Sequence, residues 1–464
     1  MYEGYEKLYQ VDTNAMDPTQ TASFDILPVE AFAPARSYSF GMSPNVLMPL
    51  EYTGWRDETL AWHLTSSLGA TLNPSPVTII RGPQAIDFMR ENFVNNIDNF
   101  PIGASKHGLM LLEDGTIAAQ GVIMRTDEQE YEAYWLSPFI DYRFSQKEWD
   151  AELIDVTNER FLFQMQGPKC LAILEEATGE DLHDIGFCRS RKSSIDGMEV
   201  TILRFGMGNT LGYEVHGNAA EGPAIHKRLM EVGTPYGIRR MGFLAYEMNH
   251  TTGGSQQGGT HFDLSPFADP GYVAFCNGGV DVEVSSDYVE GFLIEGSFDG
   301  DPSERYANPI EIGLRRVINW NHDFVGKEAL LKYRENPRRN LKTLVWNVED
   351  IVDVFRSQFS DDPYRQMDDW AYEVGHFGMP KTVYDRVLDM DGNKIGFSGG
   401  RMMDWWNKAM ISMAIMDVDY CEDGTQVQVV WGEPGTHQKL IRATVAPVPY
   451  NTHLENRSTD VKSL

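Results

Sequence analysis

Apolar residues along this chain recur at two spacings, every second position or every third to fourth. The switches between the two mark out its elements. In FLFQMQGPKCLAILEEATGEDL, residues 161–165 read as a strand, Gly167-Pro168 as a tight turn and the run from Lys169 as a helix. In VTILRFGMGNTLGYEVHG the pattern is a strand, a Gly-rich hairpin turn through Gly206, Gly208 and Gly212, then a strand that carries Glu214. The first of these patterns occurs twice. Residues 77–80 form a β-branched strand, Gly82-Pro83 turns, and Gln84 starts a helix. RGPQAIDFM from Arg81 thus aligns with QGPKCLAIL from Gln166, an internal strand–turn–helix duplication.

Between the copies, residues 109–112 and 116–124 read as strands joined by the Glu113-Asp114-Gly115 turn, and 131–135 as a third strand. From Gly54, GWRDETLAWHLTSSLG reads as a helix with Trp55, Leu60, Trp62 and Leu64 as core contacts. Residues 218–240 read as a helix and a turn. MGFLAYEMNHTTGGSQQGGTHFDL is a short apolar element running into a Gly-rich loop, of a kind that is often functional in compact domains. From about Lys342 the texture changes. A strand at 344–346 leads into an acidic, aromatic-rich segment to about Phe377. Short strands follow at 383–388, 395–397, 410–416, 426–431 and 440–445, which predicts a small antiparallel barrel. The expected organisation is α+β, with an N-terminal arm over 1–50, two related subdomains over 51–370 and a β-barrel domain over 375–464.

Composition narrows the partners. The 464 residues carry 68 acidic against 39 basic side chains, a net charge of −29, which disfavours a general nucleic-acid surface. Hydrophobic content of 42% and charged content of 23% are those of a globular protein, and no apolar run approaches a membrane span. Cys170, Cys188, Cys276 and Cys421 are scattered, with no CxxC pair, which points to a reducing, cytoplasmic setting. His250 and His261 bracket the Gly-rich loop without metal-site spacing, and no metal is expected. The basic run Arg189-Ser190-Arg191-Lys192 reads as a solvated loop, or as a contact for an anionic ligand tail.

Glu214 is the leading candidate for binding chemistry. A carboxylate on a strand beside a Gly-rich turn suits a polar heterocycle that offers two adjacent N–H donors. The plainer alternative is an exposed strand glutamate. Gln164 and Gln166 flank Met165 and share one face of their strand, either for a ligand or for local backbone. Val122 is placed to pack on a flat ring or in the core.

The paired Gly-Pro motifs, GYEVHG, NPIEIG from Asn308, NHDFVGKEAL from Asn321, and VVWGEP and APVPY near the end resemble the aminomethyltransferase (glycine-cleavage T-protein) superfamily. Within it they look most like the tetrahydrofolate-dependent aromatic O-demethylases acting on vanillate and syringate. The resemblance implies a ring of two related α/β subdomains plus a C-terminal antiparallel β-barrel. It implies tetrahydrofolate as co-substrate, held by Glu214 with Gln164, Gln166 and Val122 nearby. It also implies a catalytic Tyr246, donating a proton as the aryl oxide leaves, with Asn249 one helical turn away orienting the substrate.

Departures from that pattern fall in the donor pocket. The stretch Ala118-Ala119-Gln120 lacks the Asp of amine-handling relatives, and Leu136 stands where the vanillate-type enzyme has an Arg. Asn73 or Pro74, together with Ser43, Asn45 and Ser255, stand in place of other pocket residues, and Trp135, Phe139, Phe243 and Phe262 are candidates for an apolar cage. The expected partner is a small aromatic ether lacking a carboxylate, besides folate. No nucleic acid or membrane is expected, and the chain is read as a monomer or small homo-oligomer. Three donors stay open: a methyl ether, a methylenedioxy bridge of the sesamin type, and an amine. A non-catalytic, iron–sulfur-assisting role is disfavoured by the missing KGC motif.

Overall fold

A computed structural model describes residues 37–40, 47–70, 73–278, 288–289, 292–367, 381–450 and 455–464. Most of the expected arm, and Ser43 and Asn45 with it, lie outside the described residues. So does the expected boundary near 370–375.

The duplication is architectural. In the first copy the strand Val77–Arg81 leads through Gly82-Pro83 into the helix Ala85–Asn92. A meander of three strands follows, Ser105–Leu111, Ile117–Asp127 and Glu130–Tyr134. The meander's last strand pairs back on Val77–Arg81, and Glu152–Asp155 closes the far edge of this five-stranded sheet. In the second copy Arg160–Gln166 leads into the helix Cys170–Thr178 and the meander Ser190–Ile195, Met198–Leu203, Gly212–Asn218. Here too the last strand pairs back on the first, and Ser67–Gly69 and Arg239–Met241 extend the far edge to six strands. The two sheets share one strand order.

Each sheet packs helices on one face. Phe88, Met89, Phe139 and Ile140 cover the first sheet against Ile80, Ile123 and Tyr131. Leu171, Leu174, Ile225 and Leu229 cover the second against Phe161, Phe163, Met165, Tyr213 and Val215. The opposite faces meet each other, as described below.

A closed six-stranded barrel forms the third unit, in the order Arg339–Trp346, Ala409–Asp417, Lys394–Asp404, Asp385–Leu388, Gln426–Trp431 and Lys439–Ala446. It therefore reaches back past the expected start at 375 to take Arg339–Trp346. The strand expected at 383–388 is two pieces, because Tyr384 bonds sideways. Its N–H donates to the Glu295 carbonyl at 3.0 Å and its carbonyl accepts from the Phe298 N–H at 3.0 Å. Lys381–Val383 thus joins a small three-stranded sheet, and Asp385–Leu388 joins the barrel. The acidic segment after the first barrel strand contains a helix, Val348–Ser357, capped by the Asn347 side chain. Among the expected contacts of the helix Trp55–Leu64, Trp62 is buried but Leu64 is 55% exposed. Two residues along a helix is about 200° around it, so both cannot face one core.

The helix Phe243–Gly253 ties the units together. Its residues from Leu244 to Thr252 are all buried, which a helix inside a protein requires on every face. Leu244, Ala245, Tyr246 and Met248 meet Trp62 and Met241 on one side and the barrel residues Met402 and Ile411 on the other. Its start is pinned by the buried Glu58. That carboxylate accepts from the N–H groups of Tyr52, Thr53, Gly54 and Gly242 at 2.7–3.1 Å.

Candidate functional site

Where the two sheets face each other, Val77, Ile79, Val122, Met124 and Tyr134 of the first copy meet Leu162 and Leu203 of the second. Strand alternation puts Glu214 and His216 on this same side, because Tyr213 and Val215 face the helices. Gln164 lies directly across the ladder from Glu214, and Gln166 is two residues further on the same face. The sequence reading of Glu214 as an exposed strand residue does not hold: it is 2% exposed.

A polar chain crosses the interface from Glu214. Its Oε2 lies 3.0 Å from His216 Nε2, and His216 Nδ1 lies 2.9 Å from the Tyr134 hydroxyl. Tyr134 donates to Glu132 Oε2 at 2.8 Å, and Glu132 Oε1 is 3.8 Å from Arg160 Nε near the surface. Burial, then the Glu132 and Glu214 charges, hold the Tyr134 phenol protonated. Aligning Arg81 with Gln166 makes Glu132 and Tyr134 the counterparts of Glu214 and His216, by strand register. The signal for these residues was present in the sequence as YEAY and YEVH, one in each copy, and went unread.

The helix Phe243–Gly253 brings Tyr246 to the same region. Burial, with the Glu247 and Glu214 charges, raises its phenol well above the usual range, so it stays protonated. Its hydroxyl has no hydrogen-bond partner among the described residues. His250, one turn on, packs its ring on Tyr246 at 5.0 Å between centroids. Burial pushes His250 and His107 down to about 4 each, so both are neutral at pH 7. His107 faces the interface opposite Val122 on its ladder. His261 is neutral as well, pushed down to about 3 by burial. It accepts the Gln257 N–H at Nδ1 and bonds Thr251 at Nε2, so its role is to hold the loop.

Asn249 is fully buried on the same helix, its Nδ2 at 3.8 Å from Met241 Sδ and its Oδ1 without a partner among the described residues. Gln164 Oε1 is also unpaired, and Gln166 Nε2 reaches Met241 Sδ at 3.4 Å. The Gly-rich turn closes over this end. A Cβ at Gly253 would come to 2.1 Å from the Met207 carbonyl, so that backbone approach needs glycine, and one at Gly208 would press to 2.8 Å on the Gln166 amide end.

The expected donor pocket is only partly assembled. Trp135, half-buried at the interface, holds a left-handed backbone at φ 65° that a Trp rarely adopts. Phe243 stacks on Tyr246 at 6.4 Å. Ser255 sits past the helix end, its hydroxyl 3.0 Å from Met207 Sδ. Leu136 points the other way, into the helix-side core of the first copy, where Phe139 also packs. Phe262 belongs to a third cluster near the barrel. Asn73 is a clamp on the second copy's first strand. Its Nδ2 donates to the carbonyls of Ala70 (2.9 Å) and Leu162 (2.7 Å), and its Oδ1 accepts the Leu162 N–H at 2.9 Å. From Ser190 on, the basic run lies on the edge strand Ser190–Ile195, rather than in a loop. Arg191 pairs there with Glu180 and Asp184.

Comparison with known proteins agrees with this architecture. Residues 71–255 match the GCVT N-terminal domain family. The chain is 38% identical over 443 residues to a sesamin methylene transferase of Sinomonas sp. (strain No.22), covering 94% of this chain and 95% of the relative. It is 30% identical over 441 residues to a syringate O-demethylase of Sphingobium sp. (strain NBRC 103272 / SYK-6), covering 88% and 91%. The crystal structure of glycine cleavage system aminomethyltransferase T from Bartonella henselae superposes with a TM-score of 0.65 over 92% of this chain and 98% of that one, at 17% identity.

Proposed function

We propose a donor for a chain that belongs to the aminomethyltransferase (glycine-cleavage T-protein) superfamily: a neutral aryl ether. The chain is a one-carbon transferase with tetrahydrofolate as co-substrate. In the reading we favour, a methyl group passes from an aryl methyl ether to N5 of tetrahydrofolate, giving a phenol and 5-methyltetrahydrofolate. The C–O bond breaks with its electrons on oxygen, the N5–C bond forms, and the proton N5 sheds balances the one the aryl oxide takes up.

The observation that carries this reading is Tyr246. Its hydroxyl has no hydrogen-bond partner among the described residues, is kept protonated by burial, and feels the Glu214 charge. A phenol so placed can donate to a leaving aryl oxide. The residues also fit a pterin. Gln164 Oε1, an acceptor with no partner among the described residues, lies across the ladder from Glu214 on one sheet face, and Val122 stands on the facing sheet. When bound, folate would supply the nucleophilic nitrogen, and Glu214 and Gln164 would orient it. The imidazoles near Tyr246 are neutral, which suits an uncharged arene.

A second reading keeps the site and changes the carbon. A methylenedioxy bridge would give a catechol and methylenetetrahydrofolate, and the 38% identity to a methylene transferase favours it.

Incubating the protein with tetrahydrofolate and panels of methoxy- and methylenedioxyarenes separates the readings by the folate product on mass spectrometry. No folate product from either panel would refute both. Tyr246→Phe should lose about 100- to 10,000-fold in turnover while folate affinity stays within about threefold. Unchanged turnover would remove Tyr246 from the chemistry.

A further inference from the structure

The hydrogen-bond chain across the sheet interface contains one more proton site than a neutral histidine can fill. Glu132 is ion-paired with Arg160, so its carboxylate only accepts, and Tyr134 spends its single proton on it at 2.8 Å. The Tyr134 oxygen must then accept from His216 Nδ1 at 2.9 Å, which uses the one N–H of a neutral imidazole. His216 Nε2 nevertheless lies 3.0 Å from Glu214 Oε2. That contact needs a further proton, either on Nε2 facing a carboxylate or on Glu214 facing a lone pair. Without it, two lone pairs are opposed in a buried site, since His216 and Glu214 are 4% and 2% exposed.

We propose that His216 is the positioning residue that aims Glu214, through a proton the two share, and that Tyr134 decides which imidazole nitrogen is left to share it. The bond occupies Oε2 and leaves Oε1 without a partner among the described residues, open to a ligand. Other titratable groups face the pair: Glu132 and Tyr134 on the strand Glu130–Tyr134, Arg160 on the strand Arg160–Gln166, Tyr246 on the helix Phe243–Gly253, and Cys188 ahead of the edge strand. None of them donates to Glu214 Oε2 among the described residues. Loss of the shared proton therefore opens the bond and releases Glu214 from its aim. The inference rests on Glu214 being a folate ligand.

The test is titration calorimetry of the full chain with 5-formyltetrahydrofolate between pH 6.5 and 9. Wild-type affinity should fall about tenfold across that range. Tyr134→Phe removes the acceptor at Nδ1, so a neutral imidazole can carry its proton on Nε2. This variant should hold its affinity at pH 9, although it has lost a buried hydrogen bond. His216→Gln, whose amide donates at any pH, should also give a flat profile, and His216→Leu should bind about tenfold more weakly at pH 6.5. A flat wild-type profile, a Tyr134→Phe profile that falls like wild type, or wild-type affinity in His216→Leu would overturn the inference. Wild-type protein that binds no folate at any pH would instead overturn the folate reading.

Discussion

The two copies of the strand–turn–helix–meander unit place a carboxylate at the same register and treat it in opposite ways. Glu132 of the first copy is 14% exposed, neutralised by Arg160, and takes the Tyr134 proton. Glu214 of the second is sealed, with one oxygen on His216 and the other without a hydrogen bond among the described residues. One fold thus frames a Glu-x-aromatic pair twice. The rim copy became a structural anchor and the inner copy kept an open valence. What separates them is depth and the neighbouring cation, since strand, register and alternation are shared.

Exchanging the charge for an amide tests the contrast most strongly. Glu214→Gln should weaken folate binding about 100-fold, because a buried charged acceptor is lost where the ligand's N–H groups are expected. Glu132→Gln, read in the same assay, should change it less than about threefold; equal losses would abolish the distinction between the copies.

Acid should act on both copies alike. Burial pushes His107 of the first copy down to about 4 and His226 of the second down to about 3, where Arg240 adds to the effect. An unfolded imidazole titrates near 6.5, so between about 6.5 and 4 the unfolded chain binds protons that the folded chain does not. The stability these neutral rings contribute is complete above about pH 6.5 and is lost as pH falls toward 4, by up to ~3 kcal/mol for each ring. Denaturant midpoints at pH 7 and pH 5 should show the drop, and His226→Asn should reduce it.

Asn73 sharpens the same comparison at the junction, since it sits just ahead of the first copy and clamps Leu162 of the second. Asn73→Ala should cost about 2 kcal/mol in unfolding free energy while leaving the substrate KM unchanged. A KM effect without a stability effect would restore Asn73 to the donor pocket.

Much of this was legible in the sequence. The two Gly-Pro turns, the strand before each and the helix after each are set by local chemistry. Gly takes positive φ at Gly82 and Gly167, Pro suits a helix start, and the apolar period gives strand or helix directly. The barrel strands were visible for the same reason. The strand read at 344–346 was left outside the barrel, because closure of a barrel is decided by partners far along the chain. Leu136 and Asn73 were assigned to the pocket by position in a family pattern. Position along the chain does not say which side of a sheet a residue faces, or whether its amide is already spent on backbone.

The sequence by itself determined the duplicated unit and the strand that carries Glu214, because these follow from periodicity and turn residues within a few positions; the family was legible only through motifs that resemble it. The tertiary structure alone decided that His216 meets Tyr134 across 82 positions, that Tyr246 is brought within reach of Glu214, and that Glu132 finds Arg160 while its counterpart does not. Those contacts depend on how two sheets and a wholly buried helix pack against one another. Their energies are set by burial and by the polar neighbours that burial assembles, which no local pattern records.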